Sequence, residues 1–195
     1  MLLLDYIAIG IVVLLLLVQW RAPATLRRYE RQIYVAVLFV IITTLLYQVH
    51  AEFIELITSP APTRYYGPPY TSIAFFLFSS WSRVVGPYTL SIFISLLALW
   101  GMLKPSRYND RFEAGEPYII AASLALLRHP FWMLYAIAAI VLYLLISFYH
   151  ARRGGSHTRV SFYKIWLPLT LIALMATPLL AKISGLSIIS FANLH

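Results

Sequence analysis

The sequence contains no cysteine and only 11% charged residues, and both shortages limit what the protein can be. Without a thiol the chain cannot form disulfides, thiolate nucleophiles, cysteine-ligated metal sites or S-palmitoyl anchors. Soluble domains carry about 25% charged and 45–50% apolar residues. This chain of 195 residues is 61% apolar and has a mean hydropathy of +0.79. The composition excludes an ordinary soluble domain, a disordered chain and a nucleic-acid-binding protein, and it predicts a membrane protein.

Familiar catalytic motifs are also missing from the sequence. It contains no phosphate-binding P-loop, no Gly-x-Ser-x-Gly elbow, no His-Glu-x-x-His pair and no array of aspartates like that of enzymes acting on CDP-alcohols. The titratable residues are few and scattered along the chain. We therefore expect no catalytic residues, no metal site and no cofactor. Haem b, held by His50 and His150, or a bound pigment or lipid is an alternative.

Long apolar runs predict the fold class. A helix needs about 20 apolar residues to cross the hydrocarbon core. Runs of this kind occupy residues 2–20, 33–57 and 165–181, and shorter ones lie between them. The sequence predicts an all-α, polytopic transmembrane helix bundle with about five crossings, forming a single integral membrane domain over 1–195. The beginning of the chain has no basic region and no cleavage site, so we expect the first run to be a true membrane helix.

Two shorter apolar segments are predicted as interfacial or re-entrant helices. Residues 71–83 would form a helix of roughly 20 Å, too short to cross alone. Residues 118–127 are followed by Arg128-His129-Pro130, and an unbroken helix from 117 to 149 would be about 50 Å long. We therefore expect a break at Pro130.

The distribution of basic residues leaves two topologies open. With five crossings and the N-terminus outside, nine basic residues lie inside. They are Arg21, Arg27, Arg28, Arg31, Lys104, Arg107, Arg111, Arg128 and Lys182. A re-entrant hairpin in place of one crossing instead puts the basic loops 21–32 and 150–164 on the inside together. The predicted location is a bacterial inner membrane or an organelle inner membrane.

The densest polar cluster in an apolar run consists of His50, Glu52 and Glu55. Carboxylates inside a membrane are costly and often functional, so these residues are candidates for an ion or proton site. Glu52 and Glu55 share one helix face, whereas His50 lies about 160° away from Glu52. The alternative is that the helix has already reached headgroup depth, where the carboxylates are hydrated.

Arg128-His129-Pro130 lies between two apolar stretches. This turn resembles the Arg-His-Pro of isoprenylcysteine-methyltransferase-like membrane enzymes, and Gly115-Glu116-Pro117-Tyr118 gives a looser match upstream. The resemblance implies methyl transfer to a lipid or a lipidated substrate. That family's downstream acidic pair, which helps to bind the methyl donor, has no counterpart, since no Asp or Glu follows Arg128. Arg128 and His129 are also candidates for contact with a lipid headgroup or a partner.

A second basic loop contributes three more candidates for contact with an anionic headgroup or an acidic partner: Arg152, Arg153 and Arg159. Aromatic residues make up 15% of the chain and provide large, rigid contact surfaces. We therefore expect a non-catalytic accessory or structural subunit of a larger membrane complex, a bioenergetic or transport assembly. Its partners are membrane lipids and other membrane subunits. One alternative is a membrane enzyme centred on Arg128 and His129, and another is a small oligomeric channel or transporter around Glu52 and Glu55.

Overall fold

A computed structural model describes residues 3–58, 85–104, 116–152 and 163–180. This part of the chain is all-α, as predicted, and contains seven helices and no strand. In chain order they are α1 (Leu3–Arg21), α2 (Pro23–Arg28), α3 (Glu30–Thr58), α4 (Gly86–Met102), α5 (Glu116–Leu126), α6 (Phe131–Arg152) and α7 (Tyr163–Leu180).

The three long apolar runs are confirmed as helices. The runs predicted at 2–20, 33–57 and 165–181 correspond to α1, α3 and α7 within three residues at each end. The predicted helix at 71–83 lies outside the described residues, so its expected failure to cross a membrane alone stays a prediction.

The prediction of a loop between α1 and α3 is wrong. Residues 23–28 form the short helix α2, and α3 begins directly afterwards at Glu30. Pro23 lies in the first turn of α2, where its missing N–H costs nothing. The backbone N–H of Ala22 donates to the Val18 carbonyl, and that of Tyr29 donates to the Thr25 carbonyl. Helical hydrogen bonds thus continue through both junctions.

The predicted break at Pro130 is confirmed. Helix α5 ends at Leu126 and α6 begins at Phe131. The residues between them form a tight turn, in which the Phe131 N–H donates to the Arg128 carbonyl over 2.8 Å. The His129–Pro130 peptide bond is cis. At the other end of α5, Pro117 lies in the first turn, as expected.

Helix α5 lies at the centre of the described part, where it contacts α3, α4 and α7. Every residue from 119 to 127 is buried. Small side chains, among them Ala121, Ala122 and Ala125, let the neighbouring helices approach closely on several sides. The short helix is therefore an inner element with the longer helices packed around it.

Successive helices run in opposite directions between two ends of the bundle. At the first, the Asp5 end, Tyr88 at the start of α4 and Arg128 after α5 both lie beside Asp5. At the other, the Tyr163 end, the Gln19 side-chain amide donates to the Tyr163 carbonyl over 2.6 Å. Helices α1, α4 and α6 run away from the Asp5 end, and α3, α5 and α7 run towards it.

This arrangement overturns one predicted topology. The five-crossing assignment placed the N-terminus and Arg128 on opposite faces of the membrane. A distance of 4.0 Å between Asp5 Oδ1 and Arg128 Nε is incompatible with opposite faces of a core about 30 Å thick. That assignment counted nine basic residues inside against six outside, and moving Arg128 to the other side leaves eight against seven, so the distribution of charge does not decide the orientation.

By length and composition, two helical segments qualify as membrane spans: Leu3–Arg21 and Glu30–Ile54. Four further apolar helical segments are shorter, between 10 and 17 residues. A signal sequence or the core helix of a soluble protein meets the same criterion, so the span count by itself does not establish a polytopic bundle.

Candidate functional site

A buried aspartate lies at the centre of the candidate site. Asp5 belongs to the first turn of α1, and only 2% of its surface is exposed. The phenol of Tyr88 donates a hydrogen bond of 2.8 Å to Asp5 Oδ1. Tyr88 is itself fully buried, in the first turn of α4 after Pro87. A carboxylate in such a place requires partners, because burying an unpaired charge is very costly.

Arg128 supplies the positive charge opposite Asp5. Its Nε lies 4.0 Å from Asp5 Oδ1, and 24% of its side chain is exposed. The guanidinium also lies over the ring of Phe131, at 5.6 Å from the ring centre. Arg128 is thus held between an anion and an aromatic face while part of it still reaches the surface.

His129 attaches the same turn to α4. Its backbone N–H donates to the Pro87 carbonyl over 3.3 Å. Its half-buried ring lies 6.2 Å from the ring of Trp132. Burial lowers the pKa of His129, which favours the neutral imidazole at neutral pH. The Arg-His-Pro turn therefore brings a guanidinium and a neutral imidazole to the Asp5 end.

This arrangement has defined chemical possibilities. The partly exposed guanidinium of Arg128 can bind an anionic group, with Asp5 and Tyr88 fixing its position. A neutral imidazole can accept a proton or donate a hydrogen bond. Among the described residues, no three His, Asp or Glu side chains are grouped closely enough to hold a metal ion.

The candidate ion site on α3 is less well assembled. His50 is exposed and Glu52 is half-buried, as expected for two positions on different faces of a helix. The backbone of Glu55 belongs to α3, but its side chain lies outside the described residues. Their joint role in ion or proton binding stays a prediction.

Of the three candidate residues in the second basic loop, the structure describes Arg152. Its exposed guanidinium lies 4.8 Å from the ring centre of Phe148, one turn earlier on α6. Arg153 and Arg159 lie outside the described residues. Their predicted contacts with headgroups or partners therefore remain predictions.

The sequence reasoning missed Asp5 and Tyr88. Asp5 is isolated in the sequence, because no other charged residue precedes Arg21. Its position inside an apolar run was a usable signal, since a carboxylate there needs a cation. Arg128 was the matching signal, because it also lies between two apolar stretches. The contact joins residues 123 positions apart, which local spacing does not indicate.

Other interior polar groups join the helices to one another. Tyr34 Oη and Ser95 Oγ lie 2.9 Å apart, and Ser95 Oγ donates to the Ala121 carbonyl over 2.7 Å. Thr170 Oγ1 lies 2.7 Å from Ser123 Oγ. These contacts join α3 to α4, α4 to α5, and α5 to α7.

Comparisons of the chain with protein-family models, curated proteins and solved structures found no match.

Proposed function

We propose that the chain is a multi-pass inner-membrane protein, of a bacterium or an organelle, that serves as a non-catalytic subunit of a larger membrane complex. The observation that carries this proposal is the exposure of large apolar side chains on the outer helices. Phe39 is 69% exposed, and Leu14, Leu145 and Ile172 are each more than half exposed. Soluble monomers rarely leave such extensive apolar surface in water, so lipid or partner helices must cover it.

The aromatic residues near the helix ends support the membrane location. Tyr6 and Trp20 are exposed near the two ends of α1. Tyr29, directly before α3, and Tyr47, on α3, are exposed as well. At 1.5 Å per residue the first pair is separated by about 21 Å and the second by about 27 Å. Exposed Trp and Tyr collect at the two membrane–water interfaces, which lie about 30 Å apart.

Helix lengths support about five crossings. Helices α1, α3, α4, α6 and α7 contain 17 to 29 residues, whereas α5 contains 11. An interfacial helix would expose one face to water. Helix α5 is enclosed by its neighbours, which argues against an interfacial position, because short helices at membrane depth must be buried in protein. It runs from the Tyr163 end to the Asp5 end, so the chain leaves it at the opposite end, and the re-entrant form of the prediction for 118–127 does not fit this direction.

The interior polar contacts support a structural role. The hydroxyls of Tyr34, Ser95, Ser123 and Thr170 bond to groups on neighbouring helices. Within a membrane, hydrogen bonds of this kind hold helices together. Because these polar groups are used inside the bundle, the most prominent feature of its outside is the apolar surface. A surface of that kind suits contact with other membrane subunits.

The mass of the particle extracted from its native membrane with a mild detergent tests this proposal. We expect a particle larger than the chain and its homo-oligomers, with other polypeptides in fixed stoichiometry. The chain expressed alone should then be short-lived. A stable, monodisperse particle containing only this chain would contradict the subunit proposal.

Neighbouring positions on α7 provide matched variants. Leu174 is 3% exposed and Met175 is 62% exposed. Leu174→Ala should lower the stability of the chain itself by about 2–5 kcal/mol, because it leaves a cavity. Alanine at Met175, Phe39 or Leu145 should leave that stability nearly unchanged. At least one of these three changes should release the chain from the complex.

A second candidate function is favoured by the Asp5 site. The site holds a carboxylate, a guanidinium and a neutral imidazole at one end of the bundle. A membrane enzyme acting on a lipid or a lipidated substrate could bind an anionic group with Arg128 and use His129 for proton transfer. Such an enzyme should be stable alone, and His129→Ala should abolish turnover without affecting assembly.

The channel alternative predicts a homo-oligomer with Glu52 and Glu55 near its axis.

A further inference from the structure

The charged residues of the described part are divided unequally between the two ends of the bundle. Seven exposed basic residues occupy the Tyr163 end: Arg21, Arg27, Arg28, Arg31, Lys104, Arg152 and Lys164. The acidic residues that accompany them there are Glu30 and Glu116. At the Asp5 end the described cation is Arg128, and the described acidic residues are Asp5 and Glu52.

Most of these basic side chains lie over an aromatic ring. The cation is 4.1–5.9 Å from the ring centre in five pairs: Arg21 with Trp20, Arg27 with Tyr163, Arg28 with Tyr29, Lys104 with Trp100, and Arg152 with Phe148. Trp20 and Trp100 are strongly exposed. Cations paired with Trp and Tyr at the end of an apolar bundle match the headgroup region of a membrane, where the ring meets the acyl boundary and the cation meets phosphate.

We propose that the Tyr163 end faces the cytoplasm, or the equivalent side of an organelle membrane, and binds anionic phospholipid headgroups of that leaflet. The inference rests on the proposed membrane location. Loops on the cytoplasmic side carry an excess of Lys and Arg, and the anionic leaflet attracts basic residues by about 1 kcal/mol each. The Asp5 end, with its buried ion pair, then faces the opposite compartment.

Single-cysteine labelling tests the orientation directly, because the chain has no cysteine of its own. Ala24 on α2 is exposed at the Tyr163 end, and Ala51 is exposed towards the other end of α3. In intact bacterial cells a membrane-impermeant maleimide should label Ala51→Cys and leave Ala24→Cys unlabelled. After permeabilisation it should label both.

The labelling pattern separates failure of this inference from failure of the membrane proposal. Labelling of Ala24→Cys in intact cells, with Ala51→Cys protected, would show the reverse orientation and overturn the inference alone. Recovery of both variants in the soluble fraction would overturn the membrane location as well.

Thermal unfolding in lipid nanodiscs tests the lipid specificity. We expect a higher unfolding midpoint in phosphatidylglycerol than in phosphatidylcholine. Replacing Arg27, Arg28 and Arg31 together by Gln should reduce that difference by roughly two fifths, because three of the seven cations are lost. Replacing the same residues by Lys keeps the charge and should preserve it.

Equal midpoints in the two lipids would overturn the proposal, and so would an undiminished difference in the Gln variant. Loss of a protein partner from the Gln variant, without any lipid preference of the parent chain, would assign the basic end to an acidic protein surface instead.

Discussion

The two ends of the bundle use arginine in opposite ways. At the Asp5 end, Arg128 is mostly buried and faces a carboxylate that is almost fully removed from solvent. At the Tyr163 end, Arg27 is exposed and lies 4.9 Å from the ring centre of Tyr163. Sequence composition counts these residues alike. Their surroundings give the first a structural and chemical role and the second an electrostatic one.

Burial explains the difference in energy between the two ends. An exposed ion pair contributes about 0–1 kcal/mol, because water screens it. Removing one member of a buried pair costs several kcal/mol, since it leaves the other charge without compensation. Changes at the Asp5 end should therefore affect folding, whereas changes at the Tyr163 end should affect orientation and lipid contact.

Among changes at the two ends, the largest effect should come from Asp5→Ala. The change leaves the buried Tyr88 hydroxyl without its acceptor and Arg128 without its counter-ion, so the free energy of unfolding should fall by about 2–4 kcal/mol. Unfolding by SDS titration in mixed micelles measures the loss. Arg21→Gln, at the other end, is the matched control and should cost less than about 1 kcal/mol.

A double variant separates the ion pair from general disruption. If Asp5 and Arg128 interact, Asp5→Ala combined with Arg128→Gln should cost less than the sum of the two single changes. If the stability losses of the two single variants simply add in the double variant, Asp5 and Arg128 do not interact. The two ends of the bundle would then differ in packing and not in charge pairing.

Tyr88→Phe should have the next largest effect. It removes one buried hydrogen bond to a carboxylate while keeping the ring, and it should lower the free energy of unfolding by about 1–2 kcal/mol. The same SDS titration detects the change. In the Asp5→Ala background the substitution should cost far less, because the acceptor is already gone. An equal cost in both backgrounds would show that the hydroxyl does not depend on Asp5.

The sequence predicted much of the helical structure, for a physical reason. Apolar runs of about 20 residues specify helices with little regard to their neighbours, and α1, α3 and α7 follow them. Proline at the first turn of α5 and at the break before α6 set those boundaries as expected. The helix α2 was not foreseen, because a basic stretch containing proline also fits a loop.

The candidate site was only half predictable. Arg128 and His129 could be selected because they interrupt an apolar run. Their partners could not, because Asp5 and Tyr88 reach them only through the packing of α1 and α4 against α5. The directions of the helices could not be predicted either. They depend on which helix ends pack together, and the net charge summed over the loops does not specify that packing.

Arg27→Gln should produce a smaller effect than either change at the Asp5 end. It removes a cation from the face of Tyr163 at an exposed site, where such contacts contribute about 0.5–1 kcal/mol. The loss should be measurable as a slightly earlier transition in the SDS titration. Arg27→Lys keeps the charge and should retain part of the contact. A loss as large as that of Asp5→Ala would remove the distinction between the two ends.

The smallest effect should be the pH dependence contributed by His129. Burial lowers the pKa of His129 in the folded chain, so the unfolded chain binds this proton at higher pH than the folded chain does. Stability should therefore be unaffected by this group above the ordinary histidine pKa, and it should decrease as the pH falls through about 6.5. The half-buried ring is partly screened, so we expect a loss of less than about 1 kcal/mol by pH 5.

Other groups titrate in the same range, so the measurement is the difference in unfolding free energy between the parent chain and His129→Asn from pH 8 to pH 5. The parent should lose more stability than the variant over that interval. Parallel pH profiles would show that the imidazole is as well hydrated at the Asp5 end as it would be at the exposed Tyr163 end.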